Sequence, residues 1–235
     1  MSKPSQIISS ILSPAVGLFL RSQVEQVENL QVKIEANDRQ FFAGQIRRVF
    51  ISADRAVYRG LHLSHLELVG DEIAINLRQV LRGQALRLLK PIGISGQVLL
   101  KEADLNHSLH SPLLAEAVTE WVIKLLGSHA ASLGLNPRNP LKPLSMNLAG
   151  EQLIVTAQSE TTDPPTPLMI QVGLKLLSPS ELQLQNPQWV QAGSVPGIPL
   201  DSMTIDLGPE TTLQTLRLEP EQLFCQGTIT VVPAP

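Results

Sequence analysis

The sequence predicts an α+β fold in which one long antiparallel sheet packs around two amphipathic helices. Most of the 235 residues alternate apolar and polar with period two, as half-buried antiparallel strands do. Two segments instead repeat apolar residues at spacings of three and four, the period of one helix face, and both open on serine followed by proline. Hydrophobic residues make up 43% of the chain and aromatics only 3%, so the core is aliphatic, and the length suffices for one large core or two small ones.

The first helix opens at Ser13 and Pro14, carries Val16, Leu20, Val24 and Val27 with Phe19 beside them, turns Arg21, Glu25 and Glu28 away, and stops near Asn29. Upstream, Ile7, Ile8, Ile11 and Leu12 form a short apolar stretch that reads either as a terminal helical turn packed on the body or as an interfacial segment in lipid headgroups. Strand alternation follows through Leu30, Val32 and Ile34, a turn at Asn37-Asp38, Phe41 to Ala43 and Ile46 to Ala53. It continues through Leu61, Leu63, Leu66 and Leu68, ends at Gly70-Asp71, and resumes at Ile73, Ile75 and Leu77. Ile92, Ile94, Val98 and Leu100 make another strand, with Gly93-Ile94-Ser95-Gly96 read as a turn or bulge. Residues 102–110 read as a short helix leading to Ser111 and Pro112. These open the second long helix, whose apolar face is Leu114, Val118, Trp121 and Leu125, whose polar face is Glu116, Glu120 and Lys124, and whose C-terminal cap is Gly127.

Pro137, Pro140 and Pro143 mark residues 127–144 as a crossing segment. Seven strands follow at Leu144–Ala149, Leu153–Ala157, Leu168–Leu177, Leu182–Leu184, Met203–Leu207, Leu213–Leu218 and Thr228–Val232, with turns signalled at Gly150-Glu151, Asp163-Pro164-Pro165, Ser178-Pro179 and Gly208-Pro209. Strands without a helix need a cover for one face, and the two amphipathic helices are available. Residues 1–126, a helix-sheet-helix part, and residues 145–235, mainly antiparallel strands, are therefore expected to complete one domain.

Several function classes are excluded at this level. Cys225 is the only cysteine, so no internal disulfide or thiolate metal site exists. No apolar run reaches the roughly 18 residues of a membrane span, and the stretch from Ile7 to Leu20 is broken by three serines and a proline. It is also followed by no clean small-residue cleavage site, so no cleaved signal is expected and the location reads as cytoplasmic or membrane-peripheral. His62 and His65 point to opposite faces of a strand. His107 and His110 can share a helix face with Asp104, which reads as surface histidines rather than a metal site. No nucleophile elbow, phosphate loop or paired-carboxylate constellation is present, so the expectation is a non-enzymatic protein with no cofactor and no metal.

Charge is distributed unevenly. Residues 1–101 hold 13 Lys and Arg against 8 Asp and Glu, whereas residues 102–235 hold 5 against 13. Arg47, Arg48, Arg55, Arg59, Arg78, Arg82, Arg87 and Lys90 lie on or between predicted strands, where they either gather at one end of a sheet and meet phosphate headgroups or form a solvated face. The aromatic interleaving of a single-stranded nucleic-acid platform is missing, so nucleic acid is not an expected partner.

The run LSPAVGLFLRSQVEQVENLQVKIEANDRQFFAGQIRRVFISADRAVYRGLHLSHLELVG, followed by INLRQVLRG and LLKEADLNHSLHSPLL, resembles the LmeA-like phospholipid-binding family, long a domain of unknown function. The helix opening at Ser13-Pro14, the Arg55-Ala56-Val57-Tyr58 strand and the Ala103-Asp104-Leu105-Asn106 turn occur together over residues 12–126; across 145–235 only the strand pattern is similar. The chain has no lipobox cysteine, which aligns it with the cyanobacterial rather than the actinobacterial branch. The resemblance implies phospholipid binding, no catalytic residues, and an elongated sheet curled around helices, similar to tubular lipid-binding proteins.

Together these readings give a phospholipid-binding protein able to carry lipid in an apolar groove for acyl chains, with phospholipid or a membrane surface as partner. Acyl chains are expected at Val16, Phe19, Leu20, Leu114, Val118, Trp121 and Leu125, and headgroups at Arg47, Arg48 and Arg55. The same apolar stripes equally describe a filled core, which makes a protein-interaction or scaffold module the alternative.

Overall fold

The computed structural model describes residues 13–37, 40, 42–127, 129–130, 141–159, 167–190 and 197–233. The expected apolar stretch from Ile7 to Leu12, Asp38, Phe41, most of the Pro-rich crossing and the Asp163-Pro164-Pro165 turn lie outside them.

Two antiparallel sheets form where the sequence suggests one. The first takes its strands from both ends of the chain: β1 (Gln26–Glu35), β2 (Gln45–Tyr58), β3 (Leu61–Ala74), β4 (Ile92–Lys101), and then β12 (Gln222–Val231) and β11 (Thr211–Glu219), adjacent in that order. The second joins β5 (Leu141–Ala149), β6 (Gln152–Ser159), β7 (Pro167–Ser178), β8 (Glu181–Val190) and β10 (Met203–Asp206), with the short β9 (Ile198–Pro199) also on β8. Neither sheet closes on itself, so β1 and β11 remain edges of the first.

Among the described residues four helices can be bounded: α1 (Ser13–Gln23), α2 (Leu77–Val80), α3 (Glu102–Ser108) and α4 (Pro112–Leu126). Helix α4 forms as its ends dictate. The Ser111 side chain accepts the Leu114 N–H at 3.3 Å, Pro112 occupies the first turn, and Gly127 closes the helix at φ 49°. Helix α1 is shorter than its spacing predicts, because Val27 is already in β1, where alternation with Glu28 fits the sheet equally well. Strand boundaries also differ, and Phe42 and Ala43, expected in a strand, are helical and in a turn before β2. β3 runs unbroken through Gly70-Asp71, Leu77 begins α2 rather than ending a strand, and Gly93 to Gly96 lie inside β4.

The two long helices do not share one sheet face. Val118, Val122, Leu125 and Leu126 of α4 are buried with Met146, Leu153, Val155, Ile170 and Val172 of the second sheet, together with Leu105 of α3. Val16 of α1 is buried in a separate cluster with Ile34, Ile46, Val49, Ile73 and Leu77 at one end of the first sheet. Helix α3 clasps the two sheets together. Asn106 donates to Met146 O and accepts the Met146 N–H, both at 2.8 Å, while Glu102 accepts the Leu148 N–H at 2.7 Å. Leu213 N–H to Pro179 O at 2.7 Å continues the seam between β11 and the β7–β8 turn.

Candidate functional site

Cross-strand partners project to the same face of a sheet, so the register of the first sheet sorts its side chains into rows. One row runs Val32, Ile51, Leu68, Gly96, Gly227, Leu213 from β1 to β11. The next on the same face runs Ala53, Leu66, Val98, Cys225, Leu216. The intervening row, Gln31, Ser52, Glu67, Gln97, Gln226, Thr215, faces the other way and is polar throughout. One face of the sheet is therefore aliphatic across its width.

Among the described residues, the two ends of that face are sealed. Towards the start of β2 it merges with the α1 cluster; at the other end Leu100, Leu218 and Leu223 pack against the α4 cluster. Between them, among the described residues, Leu66, Leu68, Val98, Leu213 and Leu216 are half-buried and belong to neither cluster. At its β12 margin Ile229 is 46% exposed. A groove of about 700 Å³ along the seam, lined by Leu176, Leu177, Pro179, Leu213 and Thr228 among others, opens beside this face. A second of about 700 Å³, between β6–β8 and β11, is lined by polar groups including Gln152, Lys175, Gln185 and Arg217.

The glycine pair shapes the face. A Cβ on Gly96 would sit 2.3 Å from Glu67 O and one on Gly227 2.2 Å from Thr212 O, so both positions bring neighbouring backbone closer than any side chain allows. The Leu68 and Leu213 side chains fold into the space so freed, Cδ2 of each lying 2.6 and 3.1 Å from those same Cβ positions. Cys225 lies in the adjacent row, and burial pushes its thiol up to about 11.

Apart from Phe19, the residues expected to contact acyl chains fall in or against the two clusters. Val16, Val118 and Leu125 are buried, while Phe19, Leu20, Leu114 and Trp121 are half-buried. The expected headgroup cations differ among themselves. Arg48 Nε pairs with Asp71 Oδ1 at 2.5 Å and lies over the Phe50 ring, Arg55 pairs with Glu28, and exposed Arg47 lines a pocket of about 480 Å³ with Lys90 and Glu72. The central rows escape sequence inspection because Leu66, Leu68, Val98 and Leu216 look like ordinary alternation; the mid-strand glycines at 96 and 227 are the signal that sets them apart.

The Ala103-Asp104-Leu105-Asn106 segment proves structural. It is part of α3, with Asp104 accepting the Ser64 hydroxyl at 2.5 Å and Asn106 holding β5. Among the described residues no three His, Cys, Asp or Glu gather as a metal site, and no helix is long and apolar enough to cross a membrane. His107 donates through Nδ1 to Ala103 O at 2.7 Å, an ordinary helix contact.

Residues 4–228 match the family model described as LmeA-like phospholipid-binding. The chain belongs to the LmeA-like phospholipid-binding family. The match extends the family over the strands beyond residue 126, including the β11–β12 pair that completes the apolar face of this LmeA-like chain. The family is one of phospholipid-binding proteins, not of known enzymes. No curated protein and no solved structure matches the chain.

Proposed function

We propose that this LmeA-like protein is a non-enzymatic phospholipid carrier that works at a membrane surface and lays acyl chains along the apolar face of the first sheet. The observation that carries the reading is the half-buried strip of Leu66, Leu68, Val98, Leu213 and Leu216 between two sealed clusters. A monomeric protein rarely leaves a broad aliphatic sheet face partly open without a use for it. Each methylene buried there contributes about 0.8 kcal/mol. The α1 and α4 clusters act as stoppers, with half-buried Phe19, Leu20, Leu114 and Trp121 at their borders available to the chain ends.

Purified protein, analysed by native mass spectrometry with lipid extraction, tests the proposal. One bound phospholipid per chain is expected, and Leu66→Gln with Leu216→Gln should abolish it while the protein stays folded. A wild-type protein that purifies empty and takes up nothing from liposomes would sink the carrier reading in favour of an interaction or scaffold module.

A further inference from the structure

The end of the first sheet where β2 begins carries a second surface. Gly44 and the β3–β4 connection, residues 75–91, lie side by side there: the Ile75 N–H donates to Gly44 O at 2.9 Å and the Leu89 N–H to Ala74 O at 2.8 Å. Buried Asn76 holds the connection in one shape. Its amide donates to Gln79 Oε1 and to Ala85 O at 2.9 Å each, and its Oδ1 accepts the Arg87 N–H at 2.7 Å.

Packing then decides which side chains leave the body. Ile75 and Leu77 are buried in the α1 cluster, and Leu86 and Leu88 pack half-buried against it. Leu81 and Leu89 are left 54% and 62% exposed. Cations surround them. Residues 75–91 contain Arg78, Arg82, Arg87 and Lys90, all exposed, and no acid, while Arg47 stands beside Lys90 across a shared pocket. Of the acids on the adjoining strand, Asp71 is taken by Arg48 and Glu72 lines the pocket with Arg47 and Lys90.

We propose that this end docks on the surface of an anionic phospholipid bilayer, with Leu81 and Leu89 entering the headgroup boundary and Arg78, Arg82, Arg87 and Lys90 meeting phosphates. Charge complementarity selects the partner: single large apolar side chains set among a surplus of cations suit a fluid anionic surface, whereas a protein partner calls for a contiguous apolar patch. The surface deepens the carrier reading and rests on it for what the docked molecule exchanges with the membrane.

Co-sedimentation of the full chain with vesicles of phosphatidylcholine, alone or with about one part in three phosphatidylglycerol, tests the assignment. Partition onto the anionic vesicles is expected, weakening as salt rises. Replacing Arg78, Arg82, Arg87 and Lys90 by glutamine should lower it about fivefold per cation, the fold-change that ~1 kcal/mol corresponds to. Leu81→Ser with Leu89→Ser should lower it without removing its salt dependence, and Arg217→Gln on β11 should leave it unchanged. These side chains are exposed, so thermal midpoints near the wild-type value show that the fold is kept. Equal partition of wild type onto neutral and anionic vesicles, no partition at all (the result an acidic protein partner gives), or a four-glutamine variant that sediments like wild type overturns the proposal. Lipid extraction from the same preparations separates the two readings. An empty protein that still docks sinks the carrier and leaves the docking surface, whereas a loaded protein that ignores anionic vesicles does the reverse.

Discussion

Asp54 on β2 and His65 on β3 meet across the polar face, His65 Nδ1 lying 2.7 Å from Asp54 Oδ1 while Asn29 donates to Oδ2 at 3.0 Å. The hydrogen bond to Asp54 holds the His65 imidazole above its usual range, and the hydrogen bond from His65 holds the Asp54 carboxyl below its own. A histidine raised on folding stabilises fully below its unfolded pKa and loses that contribution as pH rises through the folded value. A carboxylate lowered on folding stabilises above its unfolded pKa and loses that contribution as pH falls through the folded value. Both contributions are complete only between the unfolded values, about 4 for Asp and about 6.5 for His. Thermal midpoints should therefore flatten with pH across this window's edges in His65→Ala, and an NMR titration placing His65 at or below the ordinary histidine value would contradict the pairing. Cys225 offers a second residue-scale check. With its thiol near 11, roughly one part in ten thousand is thiolate at neutral pH, so alkylation should be slow in the native state and fast in denaturant; native alkylation at the rate of an exposed thiol would contradict its burial. Pairings of this kind were hidden in the sequence. The sequence left Arg48 and Arg55 as headgroup cations or part of a solvated face, because Asp71 and Glu28, 23 and 27 residues away, carry no local sign that they pair with them.

Local structure was easiest to read where the element signals its own ends. Helix α4 needs only Ser111, Pro112, its apolar spacing and Gly127, all within one stretch of chain, and it forms between those marks. Ser111→Ala removes the cap to Leu114 and the hydrogen bond from its hydroxyl to Ser108 O at 2.8 Å, and should lower stability by about 1 kcal/mol, measured by urea denaturation. Leu126→Ala, emptying a side chain only 1% exposed, should cost about 2–5 kcal/mol in the same assay. Strand ends were less legible, because glycine has two readings. Gly96 looks like a turn residue, yet it sits mid-strand where a neighbouring backbone approaches, a relation with β3 and β12 that only pairing creates. Gly96→Ala must push Glu67 O aside and should destabilise by about 1–3 kcal/mol. Gly83→Ala, in open space but at φ 81°, would strain only its own turn.

Across the whole molecule, alternation showed that the protein is mainly sheet but not how many sheets there are. The first sheet is completed by Val98 pairing with Cys225, across more than half the chain, and no local pattern specifies that partner. The same pairing builds the apolar face, so the candidate site was legible as aliphatic content and illegible as a place. Helices α1 and α4, alike in their Ser-Pro opening, seal different clusters instead of sharing one. On the carrier reading proposed above, acyl chains lie on the Leu66–Leu68 face and not on its reverse. Leu68 and Val69 are adjacent in β3 and belong to rows on opposite faces. Tryptophan introduced singly at each, read as added fluorescence over the native Trp121 and Trp189, with phospholipid brominated along its acyl chains, compares the two faces directly. Strong quenching is expected in Leu68→Trp and little in Val69→Trp; equal quenching at both positions, or quenching at Val69→Trp alone, would rule out acyl chains confined to the Leu66–Leu68 face.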